Sequence, residues 1–166
     1  MSLRENPIGI YEKAIPNAFS WEDKLWIAKT AGFDFLEISI DESDDRLSRL
    51  DWTKEEREQL RQAMHHIGLP IKSMCLSGHR RFPFGSHDAL VRQTAYEMMD
   101  KAITFAKDLG IENIQLAGYD VYYEQSDEGT IERFVEGLKY AASRAARSQL
   151  QLTIEIMDTP LCGTIS

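Results

Sequence analysis

One unit recurs along this chain: an amphipathic helix, a glycine, then a short apolar strand. It appears at Ala28-Lys29-Thr30-Ala31-Gly32-Phe33, at Met64-His65-His66-Ile67-Gly68-Leu69 and at Ala106-Lys107-Asp108-Leu109-Gly110-Ile111. The glycines fall at roughly 40-residue intervals, the size of one βα unit of a barrel or doubly wound sheet. Glycine suits that place because the residue after the last helical turn goes to positive φ, where a Cβ would clash. A fourth unit, Ala141 to Ala146 followed by Ser148-Gln149, keeps the plan without the glycine.

Strands are expected at Pro7–Tyr11, Phe33–Ile40, Ile71–Leu76, Asn113–Ala117 and Leu150–Ile156. Several read as apolar at most positions, as for strands covered on both faces. Helix starts are marked by Ser20 before Trp21-Glu22-Asp23, by Thr53 with Glu56 three residues on, and by Ser86 or Asp88. The third helix carries Leu90, Met98, Ala102, Phe105 and Leu109 at helical spacing. The fourth, from Thr130 to Arg147, carries Phe134, Leu138, Ala141, Ala142 and Ala145. Both stripes read as core packing.

The order βαβαβαβαβ implies parallel strands joined by right-handed crossovers. No G-x-G-x-x-G follows the first strand, so a dinucleotide-binding sheet loses support. The expected fold class is α/β: the N-terminal part of a (β/α)8 TIM barrel, about five parallel strands and four helices, as a single domain over residues 1–166. Such a piece leaves two open sheet edges, at its first and fifth strands. Either a second copy covers them, giving a homodimer, or further chain does, in which case the sequence is truncated relative to the natural protein.

The formal net charge of -8 excludes a nucleic-acid partner and an anionic membrane surface, and requires a local basic cluster for any anionic ligand. No apolar run approaches the ~20 residues that cross a bilayer. The start MSLRENPIGI has no secretory leader, and Cys75 and Cys162 form no C-x-x-C pair, so a reducing cytoplasm is the expected location.

In barrels of this kind the reactive groups sit at the C-terminal ends of strands. The first strand ends in Tyr11-Glu12-Lys13, with Glu12 and Lys13 either in the mouth or in a solvated loop. The second ends in an acidic stretch, Asp41 to Asp45, closed by Arg46. It has no glycine for a calcium loop, which favours a solvated loop with local Arg46 pairing. Glu37, inside that strand, needs a partner if it faces the interior. The third ends in His79-Arg80-Arg81 beside Phe82 and Phe84, a contact for phosphate or carboxylate oxygens or else a salt-bridged lid. The fourth ends in Gly118-Tyr119-Asp120, a wall that stacks on a sugar face or simply packs. The fifth carries Glu155 near its end and Asp158 three residues on. A carboxylate in what reads as a strongly apolar strand must pair, hold a metal or shift its pKa.

Six blocks, in order, resemble the bacterial L-xylulose-5-phosphate (L-ribulose-5-phosphate) 3-epimerases of the xylose-isomerase-like barrel superfamily. They are Pro7-Ile8-Gly9-Ile10-Tyr11-Glu12-Lys13-Ala14, Ser48-Arg49-Leu50-Asp51-Trp52, Ser73-Met74-Cys75-Leu76-Ser77, His79-Arg80-Arg81-Phe82-Pro83, Ile114 to Tyr123, and Glu155-Ile156-Met157-Asp158. The resemblance implies a barrel using one divalent metal (Zn, Mn, Mg or Co) held by two Glu, an Asp and a His. It implies that Glu155 is the first of those ligands and also one of two carboxylates exchanging the proton at C3 of a phosphorylated ketopentose. The other three ligands are expected beyond residue 166. Lys13, His79, Arg80, Arg81, Tyr119 and Asp158 are the expected contacts for the small-molecule sugar phosphate. Aldose–ketose isomerisation stays open as a second chemistry, and a catalytically inactive half barrel as a third reading. An apurinic endonuclease of the same superfamily would need a basic groove, against which the acidic balance argues.

Overall fold

The computed structural model describes residues 6–159 and residue 161. Cys162 and the first five residues lie outside that range, so what was read there has no structural counterpart. Five strands, β1 (Gly9–Tyr11), β2 (Phe35–Ile40), β3 (Ile71–Leu76), β4 (Asn113–Ala117) and β5 (Gln151–Glu155), alternate with α1 (Trp21–Thr30), α2 (Asp44–Leu47), α3 (Lys54–Ile67), α4 (Ala89–Leu109) and α5 (Glu128–Arg147). All pairings are parallel, and the spatial order is β1-β2-β3-β4-β5. A doubly wound sheet reverses direction at a switch point and puts helices on both faces. Here each strand lies beside its predecessor, so right-handed crossovers place the helices on one face only. This is the first half of a barrel wall.

The helix starts form as the sequence predicts. Ser20 and Thr53 each close a reciprocal capping box, with Asp23 and Glu56 respectively, and Asp88 caps α4. At the helix ends Gly68 and Gly110 adopt φ of 71° and 74°, and Gln149 makes the same left-handed turn, at φ 59°, where the fourth unit lacks glycine. Asp127, not recognised in the sequence, caps α5, which starts at Glu128, two residues before the expected start. The short helix α2 and the 3-10 turn Ser48–Asp51 fill the β2–α3 connection that reads as a plain acidic loop.

The core lies between the helices and one face of the sheet. Leu36, Ile38, Ile40, Met74, Leu76, Ile114 and Leu116 meet Leu25, Leu60, Met98, Met99, Phe105 and Phe134 there. Two expected core residues are corrected: Leu90 is 73% exposed and Ala142 is exposed, because α4 and α5 turn them away from the sheet. Ala95 and Gly137 are buried instead. A Cβ at Gly137 would overlap the Phe84 ring, so that glycine lets α5 clamp the loop after β3. No described helix is long and apolar enough to cross a membrane.

Candidate active site

The opposite face of the sheet is polar. Tyr11, Glu37, Ser73, Asn113 and Gln151 stand in register across the five strands; Cys75, Gln115 and Thr153 form the next row, and Glu155 pairs with Ala117 at the end. The strands alternate apolar-out and polar-in, the pattern of side chains on opposite faces of a pleat. Both-face apolar burial, expected from the sequence, is therefore corrected: the helix-facing residues are apolar and the other face is mostly polar, with Phe35 among its exceptions. The physical signal was the period of two in Phe35-Leu36-Glu37-Ile38-Ser39-Ile40 and in Gln151-Leu152-Thr153-Ile154-Glu155.

At the C-terminal ends of the strands this face opens into a cavity of about 600 Å³ bounded by Tyr11, Lys13, Glu37, Asp41, Glu42, Cys75, Arg80, Gln115 and Glu155, among others. Ser73 donates to Glu37 at 2.7 Å, giving the strand carboxylate its partner. Lys13 Nζ lies 2.6 Å from Asp41 Oδ2, and Arg46 Nη1 reaches the same oxygen at 3.0 Å. Burial works against the Asp41 charge, but the Lys13 and Ser43 hydrogen bonds outweigh it and hold the carboxyl well below its usual value. Burial pushes the Cys75 thiol up, and the nearby Glu37 and Glu155 charges add to that. The shift disfavours the thiolate, the nucleophilic form.

Of the seven expected site residues, Lys13, Arg80 and Glu155 line the cavity together. Tyr119 is 2% exposed and sits behind Arg80, where burial pushes its phenol up to about 12. His79, Arg81 and Asp158 do not line it. The 3-10 turn Ser77–Arg80 directs His79 inward, where its ring packs 4.4 Å from that of Phe84 and Nε2 lies 3.3 Å from the Ala95 carbonyl. Arg81 points out to Asp44 at 2.6 Å. Asp158 is exposed in the bend after β5. Glu12, read as a mouth or loop residue, is fully buried beneath the mouth and bound by Arg49 and Lys24.

Burial drives the His79 pKa down to about 4, and the Ala95 and Leu76 carbonyls only partly offset it. An unfolded histidine protonates near pH 6.5, so below that pH the unfolded chain takes up a proton that the native chain refuses. The His79 contribution is complete above pH 6.5 and is lost as pH falls toward 4, a total of about 3 kcal/mol. Urea unfolding between pH 6.5 and 5 is expected to show this slope, and His79→Gln to flatten it. An unchanged slope in that variant would place the proton elsewhere.

Glu155 contradicts one expectation: it is exposed, not buried in an apolar strand. Among the described residues β5 is an edge strand with β4 as its neighbour, and Ile154 and Ile156 are also 47% and 60% exposed. A carboxylate on the wall of a polar mouth fits the role of one metal donor. One donor is not a site for a divalent cation, and no group of three His, Cys, Asp or Glu able to hold a metal occurs among the described residues.

A family description, Xylose isomerase-like TIM barrel, matches residues 25–166. The chain is 54% identical over 166 residues to L-ribulose-5-phosphate 3-epimerase UlaE of Escherichia coli O1:K1, covering 100% of this chain and 58% of UlaE. It is 56% identical over 164 residues to SgbU of Haemophilus influenzae, covering 99% and 57%. It thus spans a little over half the length of the curated relatives it matches. Among solved structures, D-psicose 3-epimerase in the presence of D-fructose superposes with a TM-score of 0.77 at 18% identity over 96% of this chain and 55% of that one. L-ribulose 3-epimerase gives 0.68 at 23% over 91% and 50%. Sequential parallel strands, helices on one face, a polar mouth on the other and these likenesses lead to one conclusion: the chain belongs to the xylose isomerase-like TIM barrel family.

Proposed function

We propose that this chain contributes one wall of the active site of a metal-dependent 3-epimerase acting on a phosphorylated ketopentose, L-ribulose 5-phosphate or L-xylulose 5-phosphate. The observation that carries the reading is Glu155 at the C-terminal end of β5, facing a polar mouth in a chain more than half identical to L-ribulose-5-phosphate 3-epimerase UlaE.

The C3 proton of a 2-ketose is acidic because the adjacent carbonyl can take up charge as an enediolate. A group within hydrogen-bond reach of that carbon can remove the proton from one face, and a second group can return one to the other. Glu155 is one of these two. The resemblance assigns the second, with the remaining metal donors, to chain beyond residue 166. A divalent metal, when bound by Glu155 and those donors, would stabilise charge developing on the ketose oxygens. Glu37, Ser77 and Gln115 line the cavity and offer hydrogen-bond partners for the sugar hydroxyls, and Asp158 approaches it only if the bend after β5 folds inward. Lys13 and Arg80 are the cations facing the cavity, available to the anionic end of the substrate.

The test is turnover in deuterium oxide by a chain carried to the full length of its relatives. Epimerisation at C3 is expected to place one deuterium at C3 of the product and none at C1. Aldose formation, with deuterium at C2 of the aldose or with none if hydride moves directly from C1 to C2, would instead identify an aldose–ketose isomerase.

A further inference from the structure

The loops that rim the mouth are tied to one another, and the ties differ in strength. The loop after β4 is pinned at its base. Asp120 Oδ2 accepts from Ser126 Oγ at 2.7 Å and from Thr130 Oγ1, and the Asp120 carbonyl accepts from the Gly85 N–H at 3.2 Å. Glu124 accepts from the His87 N–H at 2.8 Å. Between these pins the tip carries Tyr122 and Tyr123, 45% and 69% exposed. Tyr123 reaches past the loop after β3 to the loop after β2, where its hydroxyl donates to both Glu42 oxygens at 3.1 Å. The Tyr122 and Tyr123 rings meet edge to face at 4.9 Å.

Glu42 is where the ties converge. Its carbonyl also accepts from Arg81 Nη1 at 3.4 Å. Glu42 lines the cavity, whereas Tyr122 and Tyr123 stand outside it on the rim. A phenol bonded to a carboxylate is a charge-assisted pair, stronger than a neutral one. In water, however, its net worth is small, so an exposed bond of this kind opens and re-forms readily. A segment pinned at both ends and held at its tip by such a bond can move without disturbing the core.

We propose that residues 121–125 are a strap across the rim, and that the Tyr123–Glu42 bond is its latch. Open, it frees the Glu42 side of the wall to admit substrate; closed, it slows departure. This rests on the reading of the mouth as a ketose-phosphate site. Tyr123 is a positioning residue that acts through Glu42 and touches no substrate.

The experiment uses the full-length protein. Tyr123→Phe keeps the ring and removes the latch. Hydrogen exchange at the backbone amides of residues 121–126 is expected to quicken about 3- to 10-fold, as for the loss of one exposed hydrogen bond. The KM for L-ribulose 5-phosphate and its dissociation rate by isotope trapping are expected to rise by a similar factor. Deuterium uptake at C3 in a single turnover with saturating enzyme is expected to hold. Adding Glu42→Ala to Tyr123→Phe is expected to quicken exchange no further. Tyr140→Phe removes a bond of the same kind, to Asp100 at 2.8 Å between α4 and α5, and is expected to match wild type throughout. Unchanged exchange in Tyr123→Phe overturns the latch, with or without turnover. Faster exchange with unchanged KM and dissociation overturns the gating role and leaves the epimerase reading standing. A loss confined to the single-turnover step makes Tyr123 a catalytic residue and overturns the inference. Absence of wild-type turnover overturns the epimerase reading, and faster exchange in Tyr123→Phe supports the latch in that case too.

Discussion

Glu12→Ala is expected to cost about 3–5 kcal/mol of folding stability, a large part of what a domain this size possesses. Glu12 is 0% exposed. Arg49 binds it through both terminal nitrogens, at 2.7 and 2.9 Å; Lys24 reaches it at 3.1 Å, the Ser39 N–H at 2.9 Å, and Arg46 approaches to 3.9 Å. Those three cations are themselves 3–8% exposed. Removing the one carboxylate they share would leave Lys24 and Arg49 buried with no anion, while Arg46 keeps Asp41, and that is the costly direction of breaking a buried pair. Lys24 and Arg49 also flank the Trp21 ring at 4.9 and 5.1 Å, so the damage would spread to the packing of α1.

The same site gives an acid-side signature. Burial alone would raise the Glu12 pKa, but the Arg49 hydrogen bonds and charge, the Ser39 N–H and Lys24 outweigh it, so it is lowered. Its contribution is present above the unfolded value near 4.5 and lost as pH falls through the lower folded value. Urea midpoints at pH 7 and pH 3 check both points. A variant within about 0.5 kcal/mol of wild type at pH 7 would show the network to be dispensable.

The second large effect concerns chemistry. In the full-length protein Glu155→Gln is expected to lower kcat by about 100- to 10,000-fold, the range for losing a positioned proton-transfer group. The amide keeps the shape but can neither take the C3 proton nor offer a negative charge to a cation. Because the amide of Gln has the size and shape of the carboxylate it replaces, the melting temperature is expected to hold, which separates this loss from the unfolding expected at Glu12. Bound metal per chain, measured by atomic emission, is expected to fall in parallel. Wild-type turnover by the variant would remove Glu155 from the mechanism.

Much of the fold was legible because its markers are local. A glycine after three of the helices, a Ser or Thr three residues before an acid, and apolar runs between them need no knowledge of distant contacts, and β3 and β4 fall where those runs lie. What escaped depends on direction. Glu12 and Lys13 are neighbours in sequence, yet one turns into a buried cage and the other onto the cavity wall. His79 and Arg80 separate likewise, one beneath Phe84 and the other over Tyr122. Within a 3-10 turn adjacent side chains leave at very different angles, and composition carries no trace of which faces which way. The polar interior could have been read, since β5 and most of β2 and β4 alternate apolar and polar residues. Counting their apolar residues without regard to parity concealed it.

Strand order has a consequence for how the molecule comes to be. Since every strand hydrogen-bonds to the one made just before it, each new βα unit leaving the ribosome meets a finished template, with no need to wait for a distant segment. Assembly can therefore proceed vectorially, one strand at a time, with β1 and the newest strand as the two edges exposed to chance pairing during synthesis.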